Sequence, residues 1–551
     1  MRSLPLIIVV GGDDLALRVC EELCATRDRE VVVLWDPDAS VARRVERCGG
    51  TFAGRNPVAY ESLQQIGVAD AAVIMPVSED DRLNLRVALQ ARDLNPQIRI
   101  VLRQFNRALG RKIEQNLPNC TAISPAAHAA ATYAAAAVDP GCRYGLQFPH
   151  IDGPLLAFSE RTAREFGLRP VTIAEAERRI GARIITVDDR VAPSTQRIGR
   201  DDRVVAFGPA NNLQHARLHR RAHEGATPGR KRRRDWLLDI VTASARLEPL
   251  AFYAAAAGFV IYIACCVYFM LQMHLTFVEA MYFTAQTMVT VGYGDITPLQ
   301  RHAGTTAILV SIAAMLAGVT IGGILIATVA SALSRAQETA LHGVRQIHAQ
   351  DHVVVCGAGN VGTRVIDFLL RMDVRVVVIE RNPSAFLLEL ARTRRVDLLR
   401  ADTTNDDTLI LCSLPAAQSL VAVTDSDTAN LEAALGARVQ SPELPVVLRI
   451  KDAEYARSIA NNFTIAKSFS ASELTAPAIA GLVRFRGSRG RVTLGDTTYT
   501  IDERATGTEL PAEHAIPLHA WRGGELVPIH DFSEERPGDR VIYIVPLAPP
   551  P

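Results

Sequence analysis

Residues 287–298 read TMVTVGYGDITP, a glycine-rich segment set between two runs that carry no charge. The first run, 251–273, is AFYAAAAGFVIYIACCVYFMLQM; the second, 303–333, is AGTTAILVSIAAMLAGVTIGGILIATVASAL. About 20 apolar residues span a bilayer at 1.5 Å per residue, so each run predicts a membrane-crossing helix. Residues 277–298 hold a moderately apolar stretch too short to cross, then a glycine-rich segment that cannot continue a helix. They read as a re-entrant loop, a half-crossing helix followed by extended backbone. Such backbone is tolerated at membrane depth only where protein encloses it or it lines a water-filled path. A path is therefore implied.

The residue types fit a path for a cation. Successive carbonyls of Thr290, Val291, Gly292, Tyr293 and Gly294, turned to one side, can replace an ion's water shell. Gly292 and Gly294 supply backbone angles that other residues resist. The Thr290 hydroxyl adds one more oxygen, while Val291 and Tyr293 are left to form a supporting wall. The pattern T-x-x-T-x-G-Y-G-D is complete as Thr287, Thr290, Gly292, Tyr293, Gly294 and Asp295, and it resembles the potassium channel signature. The resemblance implies potassium in the filter, Asp295 at the external mouth and Glu279 near the start of the half helix. A potassium filter is built from four loops and one chain supplies one, so a homotetramer is implied. Gly318, followed by Gly322 and Gly323 in the second run, is read as a gating hinge, with close helix contact as the alternative role.

Outside the two runs the chain repeats itself. Arg18, Asn84 and Arg103 recur 346 residues later as Arg364, Asn430 and Arg449, and whole segments correspond around them, IIVVGGDDLALRVCEEL with VVVCGAGNVGTRVIDFL among them. A duplicated domain follows. In each copy, short Val/Ile runs without alternation are separated by amphipathic stretches, the pattern of strands buried on both faces of a parallel sheet. Each copy ends in a smaller piece, closing on GRDDRVVAFG and RPGDRVIYIV.

In the second copy Gly357, Gly359 and Gly362 form G-x-G-x-x-G after an apolar strand and before a helix, with Glu380 closing the next strand. These glycines allow a tight turn and close approach of a pyrophosphate to a helix N-terminus, and the acid can bind ribose hydroxyls. Glu380 disfavours a 2'-phosphate, although Arg381 beside it works the other way. The first copy departs, with Asp13, Asp14 and Ala16 where the later glycines would stand. Carboxylates there satisfy the helix dipole and repel phosphate, so this site is read as lost. Helix capping is the simpler role for Asp13 and Asp14, a bound cation the other.

A pore between duplicated Rossmann-like domains resembles the ligand-gated channels that carry RCK domains, also called KTN or TrkA-N/TrkA-C. The segments VVCGAGNVGTRV, RADTTND and VAVTDSDTANLEAA carry the likeness in the second copy. It implies that Asn360, Asp402, Thr424 and Asp425 join Gly357, Gly359, Gly362, Glu380 and Arg381 around an adenine nucleotide, NAD(H) or ADP/ATP, with a divalent cation as a further candidate ligand. In the first copy Asn56 stands in the place of Asp402. One regulatory domain precedes the pore rather than both following it.

The expected fold is an α-helical two-span membrane pore domain flanked by two α/β Rossmann-like RCK domains, each with a small α+β C-terminal subdomain. The expected boundaries are 1–145 and 146–212 for the first RCK domain and its subdomain, 213–248 for a basic linker and 249–335 for the pore. A short linker, 336–350, then leads to 351–480 and 481–551. Two spans return the chain to its starting side, and RKRRRDW at 230–236 places that side in the cytoplasm by the positive-inside rule. Both termini are thus expected to be cytoplasmic, on a multi-pass protein of the cell membrane. The N-terminus, MRSLPLIIVVGGDD, has no small-residue cleavage site and reads as a strand, not a signal peptide.

Composition narrows the rest. Lys and Arg total 60 against 59 for Asp and Glu, a balance that argues against nucleic acid as partner. Nine cysteines, with no C-x-x-C pair, fit a reducing compartment. Cys20 and Cys24 share a helix face and read as small buried hydrophobes. His215, His219 and His223 have metal-chelating spacing, but interleaved Arg217, Arg220 and Arg221 make a solvated basic helix the better reading, and no metal site is expected. Two other functions compete: a membrane-anchored NAD-dependent oxidoreductase, which leaves 287–298 unexplained and lacks a catalytic acid or base, and a regulatory subunit of a separate potassium transporter, which would not need its own pore. The chain is expected not to be an enzyme.

Overall fold

Strand after strand in the computed structural model is a run of Val, Ile and Leu with no exposed face. The model describes residues 4–148, 153–191, 193–214, 249–342, 347–393, 395–463, 467–483, 487–508 and 514–547. The histidines at 215, 219 and 223, the basic run 230–236 and residues 343–346 of the second linker lie outside them. The chain forms two compact units, residues 1–226 with 344–551, and residues 227–343.

In the first unit, Leu6–Val10, Glu30–Trp35, Thr51–Gly54, Val73–Pro76, Arg99–Arg103 and Cys120–Ile123 make a parallel sheet in the spatial order 3-2-1-4-5-6, counted along the chain. His352–Cys356, Arg375–Ile379, Asp397–Leu399, Ala417–Ala422, Val446–Arg449 and Lys467–Phe469 repeat that order. Covering both faces of such sheets with helices removes the central strands from water, which is why their apolar runs do not alternate. The recurrent asparagines have a shared task. Fully buried Asn84 accepts from Ser78 N (3.0 Å) and donates to the Ser78 and Arg103 carbonyls (2.8 and 3.2 Å). Asn430 does the same between Thr424 N (2.8 Å) and the Thr424 and Arg449 carbonyls (3.2 and 2.9 Å). Each side chain satisfies backbone groups that neither sheet nor helix can reach.

The two copies exchange helices. Helix Pro125–Val138 of the first packs on Asn360–Arg371 of the second, and its counterpart Ala471–Gly481 packs on Asp14–Cys24 of the first. Tyr133 donates to the Phe469 carbonyl (2.9 Å) and Ser419 to the Ala137 carbonyl (2.6 Å) across this junction. Each copy then continues into a five-stranded antiparallel sheet. The first of these takes Cys142–Leu146 as an edge strand, ahead of the expected boundary at 146. The second begins at Gly490. Phe158 and Phe207 of one small sheet share a core with Leu518, Trp521 and Ile542 of the other.

The second unit holds helices Pro249–Gln272, Phe277–Met288 and Thr305–His342. Tyr253–Gln272 and Thr305–Thr328 have mean hydropathies of 2.2 and 2.4, yet only 22% and 11% of them is buried. Core helices of a water-soluble protein would be covered; here Phe259 and Leu316 are 67% and 66% exposed. Such faces require lipid or further protein.

Candidate pore and nucleotide cleft

The half helix Phe277–Met288 begins with a capping box. Thr276 accepts from Glu279 N (3.4 Å), and the Glu279 carboxylate accepts from Thr276 N and its hydroxyl (2.9 Å each). Arg301 lies 3.5 Å from the same carboxylate. Glu279 therefore fixes where the half helix starts. At its other end Val289 caps it, and the backbone then takes φ of +63° at Thr290, +55° at Gly292 and +74° at Gly294, with Val291 and Tyr293 outside that region. Left-handed angles at every second residue turn successive carbonyls to the same side. For glycine they cost little; for β-branched Thr290 they are strained, a condition that persists only where the surroundings hold it.

Gln286 is what holds it, a residue that sequence reasoning passed over. Its carbonyl accepts from Val291 N (2.9 Å) and Gly292 N (3.3 Å), and its side-chain oxygen accepts from Tyr293 N (3.1 Å). Its amide donates to Asp295 (3.3 Å), which also accepts from the Tyr282 hydroxyl (2.8 Å). Tyr293 stacks on Tyr282 with the rings nearly parallel. Thr287 is buried and donates back to the Phe283 carbonyl (2.6 Å). Placement one to two turns upstream on the half helix was the available signal for Gln286 and Tyr282.

Gly318 sits in an unbroken helix. A Cβ there would stand 2.0 Å from the Met288 carbonyl oxygen, whereas Gly322 and Gly323 have open space around them. Close approach of the long helix to the end of the half helix is thus what the geometry asks of Gly318, the alternative to a hinge.

In the first unit, a cleft of about 740 Å³ brings together eight of the nine expected nucleotide-site residues, Gly357, Gly359, Asn360, Glu380, Arg381, Asp402, Thr424 and Asp425. The ninth, Gly362, lies beneath, where a Cβ would meet the Gly357 carbonyl oxygen at 2.0 Å. Gly357 turns at φ +92° against Thr424, and Gly359 has nothing within 4 Å of its missing Cβ, leaving the helix N-terminus open to the cleft. The Glu380 carboxylate accepts from Ala358 N (2.7 Å) and Asn382 N (2.9 Å). Arg381 pairs with Asp402 at 2.6 Å, and the Thr404 amide and hydroxyl, with Arg381, hold that carboxyl below its usual range. Arg449 and Lys451 line the cleft as well, and sequence reasoning gave them no role.

The same cleft shows why the first copy differs. Asp13, in the place of Gly359, caps helix Asp14–Cys24 through Ala16 N (2.9 Å) and binds Arg103 at 2.7 Å. Burial pushes this carboxyl up, against the Ala16 amide and Arg103, which favour its charged form. Trp35 packs over the turn so closely that a Cβ on Gly12 would lie 2.3 Å from the indole. In the second copy Arg449, the counterpart of Arg103, donates to the Thr424 carbonyl (3.1 Å) and meets no carboxylate from position 359.

The TrkA-N domain family model matches residues 7–125 and again 353–468, and the ion channel model matches 256–335. The chain carries two TrkA-N domains around an ion channel segment. It is 26% identical over 179 residues to the voltage-gated potassium channel Kch of Escherichia coli, covering 32% of this chain and 42% of that one. It is 25% identical over 178 residues to potassium channel protein 1 of Methanocaldococcus jannaschii, covering 31% and 52%. The chain thus spans about half, or less, of the length of these curated relatives. A solved GsuK channel superposes with a TM-score of 0.50 at 14% identity, covering 98% of this chain and 77% of that one, a likeness of fold. These matches are to channels and their regulatory domains, and the reading as an oxidoreductase finds no support among them.

Proposed function

We propose that four copies of this chain form a potassium-selective channel in the cell membrane whose opening depends on an adenine nucleotide in the second TrkA-N domain. The observation that carries this reading is the backbone of 290–294, left-handed at alternate residues and held by Gln286. One chain presents these carbonyls to open space, and rotation about a common axis encloses them. Potassium, shed of its water, is then bound by main-chain oxygens, with Asp295 at the mouth. Both termini face the cytoplasm in this arrangement.

The residues of the second copy fit a nucleotide. The open helix N-terminus at Gly359 and the Arg449 guanidinium suit phosphates, and Glu380 at the end of the second strand suits ribose hydroxyls. Asp402, Thr424 and Asp425 form the rest of the rim. Only residues 343–346 separate His342, the end of the long helix, from Ile347, which is bonded to the Leu411 carbonyl (2.8 Å) of the second copy. The ligand must bind more tightly to one pore state than to the other, since only differential affinity shifts an equilibrium.

Purified protein in liposomes tests both parts. Potassium flux exceeding sodium flux, changed by NAD(H), ADP or ATP, is the expected result. Equal flux of the two ions would overturn the filter assignment; selective flux indifferent to all these nucleotides would overturn the regulatory one.

A further inference from the structure

The first TrkA-N copy holds three thiols in one place. Cys20 and Cys24 lie one turn apart on helix Asp14–Cys24, and Cys48 ends helix Ala39–Cys48. Cys20 Sγ is 3.8 Å from Cys24 Sγ and 3.5 Å from Cys48 Sγ, and all three sulfurs lie within 4.8 Å of one another. Zinc-thiolate bonds of about 2.3 Å at tetrahedral angles put sulfurs about 3.8 Å apart. The cluster already has nearly that spacing.

We infer that Cys20, Cys24 and Cys48 form a binding site for a thiophilic d10 cation, Zn²⁺ or Cu⁺. Soft thiolates select these ions over hard ones. Cys20 is buried, while Cys24 and Cys48 are half-buried and give the ion a way in. The second copy has Ile366 and Leu370 at the positions matching Cys20 and Cys24, so the cluster belongs to the copy that has filled its nucleotide turn. The thiolate is the ligand form, so binding releases the thiol protons to the buffer, including the one Cys48 gives to the Val45 carbonyl (3.0 Å). The fourth position around Zn²⁺ falls to water; trigonal Cu⁺ needs none. The bound ion ties together two helices, one of which packs on Ala471–Gly481 of the second copy.

The test uses the full-length chain in detergent, reduced and free of oxygen. Co²⁺, as a spectroscopic stand-in for Zn²⁺, is titrated in one arm and Cu⁺ against a chromophoric chelator in the other. One equivalent per chain is expected, with sulfur-to-cobalt charge transfer in the first arm. Cys24→Ala and Cys48→Ala lower the affinity on the order of 100-fold or more, given that even outer-shell changes cost about 10–100-fold; Cys120→Ala leaves it unchanged. Alkylation of the wild type followed by mass spectrometry gives a readout independent of any variant: the metal protects Cys20, Cys24 and Cys48 together. Neither ion binding more tightly than to the Cys20/Cys24/Cys48→Ala chain would overturn the site. So would a mild oxidant that closes a Cys20–Cys48 disulfide in protein that takes up no metal, which would make the cluster a redox pair.

Discussion

At the scale of single residues, the duplicated domain is a controlled comparison made by the molecule itself. Position 13 carries a carboxylate bound to Arg103; position 359, its match, carries no side chain, and Arg449 has no such partner. Gly359→Asp therefore copies the first site into the second, setting a carboxylate on the helix N-terminus beside Arg449. Charge-assisted hydrogen bonds contribute about 1.5–3 kcal/mol each, so nucleotide affinity, measured by calorimetry on the full chain, is expected to fall about 10- to 100-fold. Potassium selectivity stays unchanged, because the filter's supports are its own. Gly318 makes the opposite demand. Gly318→Ala places a Cβ 2.0 Å from the Met288 carbonyl oxygen and must push the half helix away. Loss of selectivity and a lower melting temperature of the assembly are expected; a variant that alters only opening, with potassium still preferred to sodium, would return the residue to the role of hinge.

At the scale of elements, the two small sheets share a core, and its titrating member is His519. This residue is 2% exposed, edge-on to Phe207 of the other sheet with ring centroids 5.3 Å apart. Burial, with the nearby charges of Arg183 and His530, pushes its imidazole from 6.5 down to about 3. The folded chain thus keeps His519 neutral where the unfolded chain takes up a proton. Stability is full above about pH 6.5 and is lost as pH falls toward 3, by up to several kcal/mol at about 1.4 kcal/mol per unit. Comparing melting curves of wild type and His519→Gln across that window isolates this contribution from the carboxylates, and the variant is expected to show the shallower decline. Much at this scale was legible in the sequence. The unbroken Val/Ile runs gave the parallel sheets, and the recurrence of Asn84 and Arg103 as Asn430 and Arg449 marked the repeat, though not the buried staple that the asparagines form. What periodicity cannot supply is a partner. PAAHAAATYAAAAV at 125–138 has nearly every residue buried because it lies between the two copies, and nothing in its pattern names helix Asn360–Arg371 as the surface that covers it. Cys48 and Trp35 escaped for the same reason, since their neighbours come from other helices and strands.

At the scale of the molecule, two sequence signals of different kinds meet in one chain: a motif that fixes main-chain geometry at 290–294 and a repeat that fixes a cleft between two domains. The motif was readable because a backbone that is left-handed at 290, 292 and 294 constrains the residues within it. The cleft was readable only on its second-copy wall, because Asp13, Glu79 and Arg103 of the first copy complete it through folding. If nucleotide in that cleft alters the pore, the pore must alter the cleft, for coupling between two binding equilibria is reciprocal. A blocker that binds only the open pore therefore changes nucleotide affinity by the same factor by which nucleotide changes the blocker's. Typical couplings of about 1–3 kcal/mol correspond to roughly 5- to 150-fold, well within reach of a titration. Equal factors measured from the two ends are expected in reconstituted protein. Nucleotide affinity indifferent to the blocker, in channels whose block does respond to nucleotide, would break that linkage and place the responsive nucleotide somewhere other than the Gly359 cleft.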